Sequence, residues 1–303
     1  MIGLDEVRIT RFVRTMRGGS QPFLAQASDG SFYVVKLPGN PQGDHVLFNE
    51  SAGSELYRAC GLAAAPWRPL RLDADFIDSN RGCWHDMGEG HVRPRPGLCF
   101  GSRYLGEKGQ TLLEILPGSS FGRIVNRTDF WLAWLIDVCC EHADNRQAIF
   151  LKSSTGALTP CFVDHGHLFG GPRGVAAPRF QASSYLDPRI YPDISSNELE
   201  AILERVNGLD LIKFSQSMDA LPDGWKTDAA MLNFSRCLSQ LSNRNLVRNV
   251  MDTIFDFQSR RAASERSRTA LQFEWGQPVL RPRILPGRER GFDGYGEDCR
   301  AFA

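Results

Sequence analysis

The sequence lacks an excess of either charge, because 35 Lys and Arg residues balance 35 Asp and Glu residues. This balance removes the electrostatic argument for nucleic acid as a main partner, and we expect none. The sequence also lacks any run of about 20 apolar residues, the length that a membrane-spanning helix needs. Residues 1–6 show neither the basic nor the apolar segment of a signal peptide. We therefore expect a globular, cytoplasmic protein without a membrane partner.

Patterns typical of disulfides and of zinc sites are also missing. The chain has eight cysteines, and without an export signal we expect them to be reduced thiols. Cys139 and Cys140 are adjacent in an apolar run, as small buried side chains often are. The cysteines and histidines between Cys83 and Cys99 have spacings that fit no ordinary zinc site.

What is present begins with a strand-rich segment of roughly sixty residues. Alternating apolar residues predict a first strand from Val7 to Val13. Two further strands, Phe23 to Ala27 and Ser31 to Leu37, flank Asp29-Gly30, which is a strong hairpin signal. A helical pattern then runs from Asn49, and Gly61 is well placed to end it.

The second half of the chain is predicted to be mostly helical. Asp129 resembles an N-cap, and the run from Phe130 to Cys140 is apolar on nearly all sides, which indicates a buried helix. Two strands are expected near Ala148–Leu151 and Cys161–Val163, followed by helical periodicity over residues 198–258. A strand-rich half followed by a helix-rich half predicts an α+β fold.

The tail, residues 259–303, is rich in Arg, Pro and Gly. Such a composition is typical of a poorly ordered extension. A strap over the body of the protein, anchored by Phe273 and Trp275, is the alternative, and the sequence leaves both open.

Two acids stand where phosphoryl transfer would need them. Asp144 lies in a polar loop after the buried helix, and Asp164 ends an apolar strand. Transfer to a hydroxyl uses one carboxylate to orient the acceptor and one to hold metal. A cap or turn role is the simpler alternative for either acid. Two roles are open for Arg146: it stabilises the loop, or it neutralises phosphate charge.

Three histidines near these acids, His142, His165 and His167, suggest a metal site. Hard oxygen ligands and phosphates suit magnesium better than imidazole does. We therefore expect magnesium on Asp164 rather than zinc on the histidines, and polar loop positions remain the simpler alternative for the histidines.

A nucleotide site is indicated in the strand-rich half. Lys36 ends the third predicted strand, where its ammonium group can reach phosphates. Glu50 on the following helix can hold Lys36 by an ion pair. The turn Gly18-Gly19-Ser20 precedes Lys36 by one hairpin, and its backbone N–H groups can cover phosphates. Each signal has a simpler alternative, a solvated Lys or an ordinary turn, and their order along the chain favours the nucleotide site.

At this point the chain resembles the HipA-like kinase family, in its bacterial stand-alone branch. The resemblance covers roughly residues 15 to 250. The segments that carry it are Gly18-Gly19-Ser20-Gln21-Pro22, Tyr33-Val34-Val35-Lys36, Asn49-Glu50 with Gly61-Leu62, Phe100-Gly101-Ser102-Arg103, Asp144 with Arg146 to Phe150, Asp164-His165-Gly166 and Leu221-Pro222-Asp223-Gly224-Trp225.

The resemblance implies a two-lobed, protein-kinase-like fold with ATP and Mg²⁺ in the cleft and transfer to a Ser or Thr hydroxyl. It implies that Lys36 contacts phosphate, that Asp144 is the catalytic acid and that Asp164 holds metal. The implied units are a nucleotide-binding N-lobe over residues 1–102, a catalytic C-lobe over 103–258 and the tail over 259–303. The protein substrate is not readable from the sequence.

The chain departs from the family pattern at two positions. His142 stands where the family usually has Asn, two residues before the catalytic Asp. Ile149 stands where kinase-type loops place a metal-binding Asn, about five residues after that Asp. Gln147 is the nearest amide, and Asn145 is another candidate. These departures leave open a pseudokinase, a binding module that keeps the fold without catalysis. Because the sequence does not identify the acceptor, a kinase-fold enzyme that acts on a small molecule or lipid, or that transfers a nucleotidyl group, also stays open.

The site residues predicted from the sequence fall into three sets. They are Asp144 and Arg146 as catalytic residues; Gly18, Gly19, Ser20, Gln21, Lys36 and Glu50 as nucleotide-binding residues; and Asp164 and Gln147 as metal ligands.

Overall fold

The computed structural model describes residues 6–106, 111–175, 184–256 and 259–260. Contacts divide the chain after Gln258, and the elements described below belong to the part before that boundary. The predicted tail, residues 259–303, lies outside the described residues except for 259–260.

A five-stranded antiparallel sheet is built from the first hundred residues. The first seven strands are β1 (Ile9–Thr15), β2 (Phe23–Ala27), β3 (Phe32–Lys36), β4 (Trp67–Leu72), β5 (His85–Asp86), β6 (His91–Val92) and β7 (Gly97–Arg103). The sheet order is β1-β2-β3-β7-β4, and β5 pairs with β6 in a separate small ribbon. The predicted hairpin is confirmed, because β2 pairs with β3 across a turn in which Gly30 has a φ of +79°.

One face of this sheet is closed by its own core cluster. Tyr33 and Val35 alternate into it from β3, and Leu70 and Leu72 enter from β4. The short helix α2 (Ala74–Ser79) adds Ile77, which is fully buried. Period-two burial of this kind is what makes the predicted alternation a strand signal.

Helix α1 (Val46–Ala59) links the sheet to the helical half. It begins three residues before the predicted start at Asn49 and contains eleven buried residues. Its end is as predicted: the chain turns at Gly61, whose φ of +76° favours glycine. Because α1 is buried on nearly all sides, its polar residues Asn49, Glu50 and Ser51 must find partners inside the protein.

The next elements place the two acids. Helix α3 (Asp129–Cys139) is almost wholly buried, and the sheet of β8 (Thr111–Leu113), β9 (Gln147–Lys152) and β10 (Leu158–Val163) follows the order β10-β9-β8. The predicted strands of this hairpin are confirmed.

The predicted N-cap of α3 was wrong. Thr128 occupies the cap position, and Asp129 is the first helical residue. The Asp129 carboxylate accepts a hydrogen bond from Arg205 at 2.7 Å. Its preferred partner is therefore a guanidinium on another helix rather than its own helix end.

The remaining helices confirm the helical second half. They are α4 (Ser196–Asn207), α5 (Leu211–Ser217), α6 (Asp228–Ser242) and α7 (residues 244–256). Ser195 begins α4 with a capping box in which Glu198 bonds back to the Ser195 main chain. Together with α1 and α3, these helices enclose the larger of two core clusters.

Two expectations from the composition concern the state of the cysteines and the presence of membrane-spanning helices. The seven cysteines in the described part of the chain are free and buried. None of the helices within the described ranges is long and apolar enough to cross a membrane.

Candidate active site

Lys36, Glu50 and Asp164 meet between the sheet and the helical half. Lys36 is the last residue of β3, Glu50 lies on α1, and Asp164 directly follows β10. The Lys36 ammonium group pairs with Glu50 and donates to Asp164 Oδ1 at 2.7 Å. Two consecutive elements, β3 and α1, and a strand end 128 residues after Lys36 thus deliver one cation and two carboxylates to a single point.

Lys36 and Asp164 favour each other's charged form, whereas burial raises the pKa of Glu50. Burial by itself would lower the pKa of Lys36, but the carboxylates of Asp164 and Glu50 raise that pKa above its usual value. Burial would likewise raise the pKa of Asp164, but the Lys36 ammonium holds it well below its usual range. Lys36 and Asp164 are therefore charged at neutral pH, as a phosphate-contacting Lys and a metal-holding Asp must be.

Glu50 does more than pair with Lys36. Its two carboxylate oxygens also accept hydrogen bonds from the main-chain N–H groups of His165 (3.2 Å) and Gly166 (2.9 Å). The Glu50 side chain is only 3% exposed. One buried carboxylate thus joins the Lys of β3 to the turn that follows Asp164.

Asp164 and Gln147 fit a magnesium ion. Gln147 Nε2 donates to Asp164 Oδ2 at 2.7 Å, and the Asp164 side chain is 25% exposed. The described residues contain no group of three or more His, Cys, Asp and Glu side chains that could hold a metal. Magnesium commonly takes one or two carboxylates together with phosphates and water, and rotation of the Gln147 amide would add its oxygen. The donor set therefore suits magnesium with a phosphate substrate.

Asp144 is presented on the loop after α3. Its side chain is 46% exposed, and its Oδ1 accepts from the N–H of Asn145 at 2.7 Å. The ring of His142 contacts the main chain of this loop, with Nδ1 2.5 Å from the Asp144 carbonyl oxygen. His167 Nε2 lies 4.0 Å from Asp144 Oδ2. A half-exposed carboxylate on a supported loop is accessible to an incoming hydroxyl.

Arg146 is not exposed toward this site. Its side chain is 1% exposed, and it donates to both oxygens of Asp137 at 2.8 Å and to the Val163 carbonyl oxygen at 2.9 Å. Its guanidinium carbon lies 4.9 Å from the centre of the Tyr57 ring. Of the two roles open for Arg146, these contacts favour support of the loop over contact with a phosphate.

The turn at residues 18–21 lies between β1 and β2. Gln21 has a φ of +48°, and its side-chain amide exchanges two hydrogen bonds with the main chain of Asp86, at 2.6 and 2.7 Å. The Ser20 carbonyl oxygen accepts from Asn40 at 2.8 Å. A Cβ on Gly19 would lie 2.4 Å from the Gln42 amide nitrogen. The turn is thus held by neighbours on both sides, and Gln21 uses its side chain for that purpose.

Sequence reasoning missed two residues that lie near the predicted site residues, Gln42 and Asp137. Gln42 Nε2 lies 3.3 Å from His167 Nε2, although the two residues are 125 positions apart. Asp137, inside the apolar stretch of α3, is fully buried and holds Arg146. An acid within a buried helix is the one hint of a buried partner that the sequence offered.

The chain is similar to known proteins in sequence and in fold. The model of the HipA-like kinase family matches residues 8–115, about a third of the chain. Among solved structures, the Helicobacter pylori proinflammatory kinase CtkA aligns with a TM-score of 0.51 and 12% identity, over 84% of this chain and 96% of that one. A search of curated proteins found no match.

Two structures of the Golgi casein kinase also align. The structure with Mn and ADP bound has a TM-score of 0.45 and 11% identity over 83% of this chain and 74% of that one. The second has a TM-score of 0.39 and 12% identity over 86% and 76%.

The family match concerns the sequence of residues 8–115, whereas the CtkA alignment concerns the fold. At 12% identity the CtkA alignment shows the fold alone, and that fold is the predicted one. The predicted motifs beyond residue 115, around Asp144, Asp164 and residues 221–225, stay predictions. The resemblance to the HipA-like kinase family is confirmed over residues 8–115, and the chain has a protein-kinase-like α+β fold.

Proposed function

We propose that this chain is an ATP-dependent phosphotransferase that uses magnesium and phosphorylates a Ser or Thr hydroxyl of a protein or of itself. The observation that carries the proposal is the contact of Lys36 with both Glu50 and Asp164. The family match over residues 8–115 and the kinase-like fold support a kinase-like phosphotransferase. The lobe boundaries 1–102 and 103–258 and the cytoplasmic setting are part of the same proposal.

Nucleotide binding is assigned to the sheet and α1. Lys36, held by Glu50, contacts the phosphates of ATP as a buried point charge. The N–H groups of Gly18, Gly19 and Ser20 lie at the turn between β1 and β2, where they cover those phosphates, while the Gln21 N–H closes the turn by donating to the Gly18 carbonyl oxygen at 3.0 Å. Asp164 and Gln147 would hold a magnesium ion, which would neutralise charge on the phosphates.

Asp144 is assigned to the acceptor. It accepts the proton of the acceptor hydroxyl as the hydroxyl oxygen bonds to the γ-phosphorus, the bond from that phosphorus to the β–γ bridging oxygen breaks, and ADP leaves. A cavity of about 390 Å³ lies beside this loop, lined by Ala143 together with Gln42, Gly170, Gly171, Pro172, Arg173 and Val175. An acceptor segment bound in this cavity would contact Ala143, the residue that precedes Asp144.

The test of this function is made on the wild-type protein. Calorimetry with ATP and magnesium should show binding, and mass spectrometry after incubation with ATP should show a mass gain of one phosphate on a Ser or Thr of a substrate or of the protein itself. A gain of a nucleotide would replace phosphoryl transfer by nucleotidyl transfer. The absence of nucleotide binding in the presence of magnesium would refute the proposal.

The replacement Asp144→Ala should abolish transfer while nucleotide binding persists. Loss of a general base lowers kcat by about 10² to 10⁴, and the half-exposed side chain contributes about 0.5 kcal/mol or less to stability. Transfer rates, calorimetric ATP affinity and the urea midpoint check this together. A variant that unfolds more readily and loses binding in proportion would show instead that Asp144 serves to support the turn.

A pseudokinase is the second candidate, and one observation favours it. Ile149, at the position of the expected metal-binding Asn, lies within β9 and pairs with Cys161 of β10. Its hydrocarbon side chain offers no oxygen to a metal. Under this alternative, ATP binds with an affinity insensitive to magnesium, and no product forms under any condition in which binding is saturated.

A further inference from the structure

Asn49, the residue before Glu50 on α1, bonds directly to the turn that follows Asp164. The side chain has no exposed surface. Its amide nitrogen donates to three main-chain carbonyl oxygens of that turn, those of Gly166 (3.0 Å), Leu168 (2.7 Å) and Gly171 (3.2 Å). A single side chain thus satisfies three main-chain acceptors spread over six residues of the turn.

These contacts require an amide at position 49. The two N–H groups of Asn49 face the three carbonyl oxygens, while its Oδ1 has no partner in the described part of the chain. The opposite amide orientation would set that oxygen against three carbonyl oxygens, so the donor orientation is the only favourable one. Because the amide nitrogen carries two hydrogens, at least one of them is shared between two of the three carbonyl oxygens.

Gly53, one helical turn after Asn49, lies against the same turn. A Cβ at Gly53 would lie 2.6 Å from His165 Cβ and 2.6 Å from Leu168 Cδ1. Residues four apart share one helix face. The face of α1 that carries Asn49 and Gly53 is therefore in close contact with the turn, at a distance only glycine permits.

The turn itself needs such restraint. Asp164 has φ +61° and ψ +60°, the left-handed region that non-glycine residues seldom adopt. A residue held there costs of order 1 kcal/mol and persists only when its surroundings impose it. The direction of the Asp164 carboxylate depends on this backbone conformation.

We propose that Asn49 is a positioning residue for the metal site. By holding the carbonyl groups of residues 166–171 against α1, it keeps the Asp164 carboxylate beside Lys36 and Gln147. The proposal rests on the proposed function, because Asp164 is the metal-holding carboxylate of that same site. It adds a role for α1 besides the ion pair of Glu50 with Lys36.

The test compares Asn49→Ala with a matched control, Ser51→Ala. Ser51 is also fully buried on α1, but its hydroxyl donates only to the Leu47 and Phe48 carbonyl oxygens of its own helix. Both changes remove a buried polar group from one helix, and only one of them touches the Asp164 turn. Urea unfolding of both variants measures what each loses in stability.

The first measurement is amide hydrogen exchange in the ligand-free protein. Asn49→Ala should raise exchange at residues 165–171 by about tenfold over wild type, and Ser51→Ala should leave that segment unchanged. Equal exchange at 165–171 in wild type and Asn49→Ala would overturn the proposal. This result does not depend on whether the protein has the proposed activity.

The second measurement is the magnesium dependence. Asn49→Ala should raise the magnesium concentration for half-maximal phosphoryl transfer by about tenfold or more, as loss of a residue that orients a metal ligand does. ATP affinity measured in EDTA should stay within about twofold of wild type. An unchanged magnesium dependence in Asn49→Ala, or an equal change in Ser51→Ala, would overturn the role of Asn49.

A second variant covers the case in which Asn49→Ala does not fold. Gly53→Ala favours the helix by about 1 kcal/mol in propensity yet displaces the turn, so it should weaken the magnesium response while α1 stays formed. Gly53→Ala with wild-type magnesium dependence would count against the proposal. A wild-type protein that binds no nucleotide would refute the proposed function instead, before any variant is compared.

Discussion

At the scale of single residues, burial decides which of the charged side chains can act on a substrate. Asp144 is half exposed on its loop, whereas Arg146, two residues later, is buried against Asp137. Both look alike in sequence, as charged residues of one polar loop. The difference arises because α3 carries an acid facing inward, and a buried carboxylate must be paired.

The replacement Arg146→Ala should therefore destabilise the protein strongly. Removing one partner of a buried ion pair costs about 3 to 5 kcal/mol, because the other charge is left unpaired. The matched control is Arg248→Ala, since Arg248 and Glu200 form an ion pair with both side chains 51% exposed, and ion pairs between exposed side chains contribute little to stability. Urea unfolding measures both. An Arg146→Ala variant of normal stability but without transfer would restore the phosphate role for Arg146.

At the scale of elements, the turn before β2 is attached to the small ribbon of β5 and β6. Gln21 bonds both main-chain groups of Asp86, in the manner of an added strand residue. The turn that would cover phosphates is therefore held in place before any nucleotide binds. Preorganisation of this kind lowers the entropy that binding must overcome.

Replacing Gln21 with Ala should weaken ATP binding without unfolding the sheet. Loss of two hydrogen bonds that order the turn should lower ATP affinity by up to about tenfold, since each contributes about 1 kcal/mol or less at an exposed site. Gln26→Ala is the control, because Gln26 on β2 donates to the Gly30 carbonyl oxygen away from this turn. Calorimetry on both variants checks it. Equal affinities would mean that the turn keeps its position without Gln21.

At the scale of the whole molecule, the interior holds several histidines that resist protonation. Burial, together with the charge of Arg146, lowers the pKa of His142 to about 4. Burial also lowers the pKa of His45, His85 and His165. In the unfolded chain these rings titrate near pH 6.5, so below that pH the unfolded state takes up protons that the folded state does not.

Stability should consequently fall as the pH is lowered from about 6.5 toward 4. For His142 alone the effect reaches about 3 kcal/mol at pH 4, since each unit of pKa difference is worth about 1.4 kcal/mol. Urea unfolding between pH 7.5 and 4.5 should show a steeper loss for wild type than for His142→Gln, which cannot titrate. Parallel curves for the two proteins would contradict the low pKa of His142.

The lowered pKa of Asp164 affects the stability of the fold at lower pH than the histidines do. The ionised form of Asp164 stabilises the fold above the usual carboxyl range, and this contribution is lost only as the pH falls through and below that range. The buried histidines and Asp164 therefore affect the stability of the fold in different pH ranges. A loss of stability that starts near pH 6 is to be attributed to the histidines.

How much could be predicted from the sequence depends on the range of the interaction. The hairpin around Gly30, the strands β9 and β10 and the end of α1 at Gly61 follow from local patterns, and the structure confirms them. The N-cap of α3 was wrong because Asp129 pairs with Arg205, a partner 76 residues away. Local propensity cannot anticipate a partner supplied by another helix.

The sequence by itself determined the order of the elements, the α+β class, the positions of Lys36 and Asp164 at the ends of strands and the position of Asp144 in the loop after α3. Periodicity and turn chemistry are short-range properties, and they are written in neighbouring residues. Only the tertiary structure decided that Lys36 meets Asp164, that Arg146 turns inward, and that Asn49 binds the turn after Asp164. Each of these depends on packing between segments that are distant in the chain, where burial compels polar groups to find partners.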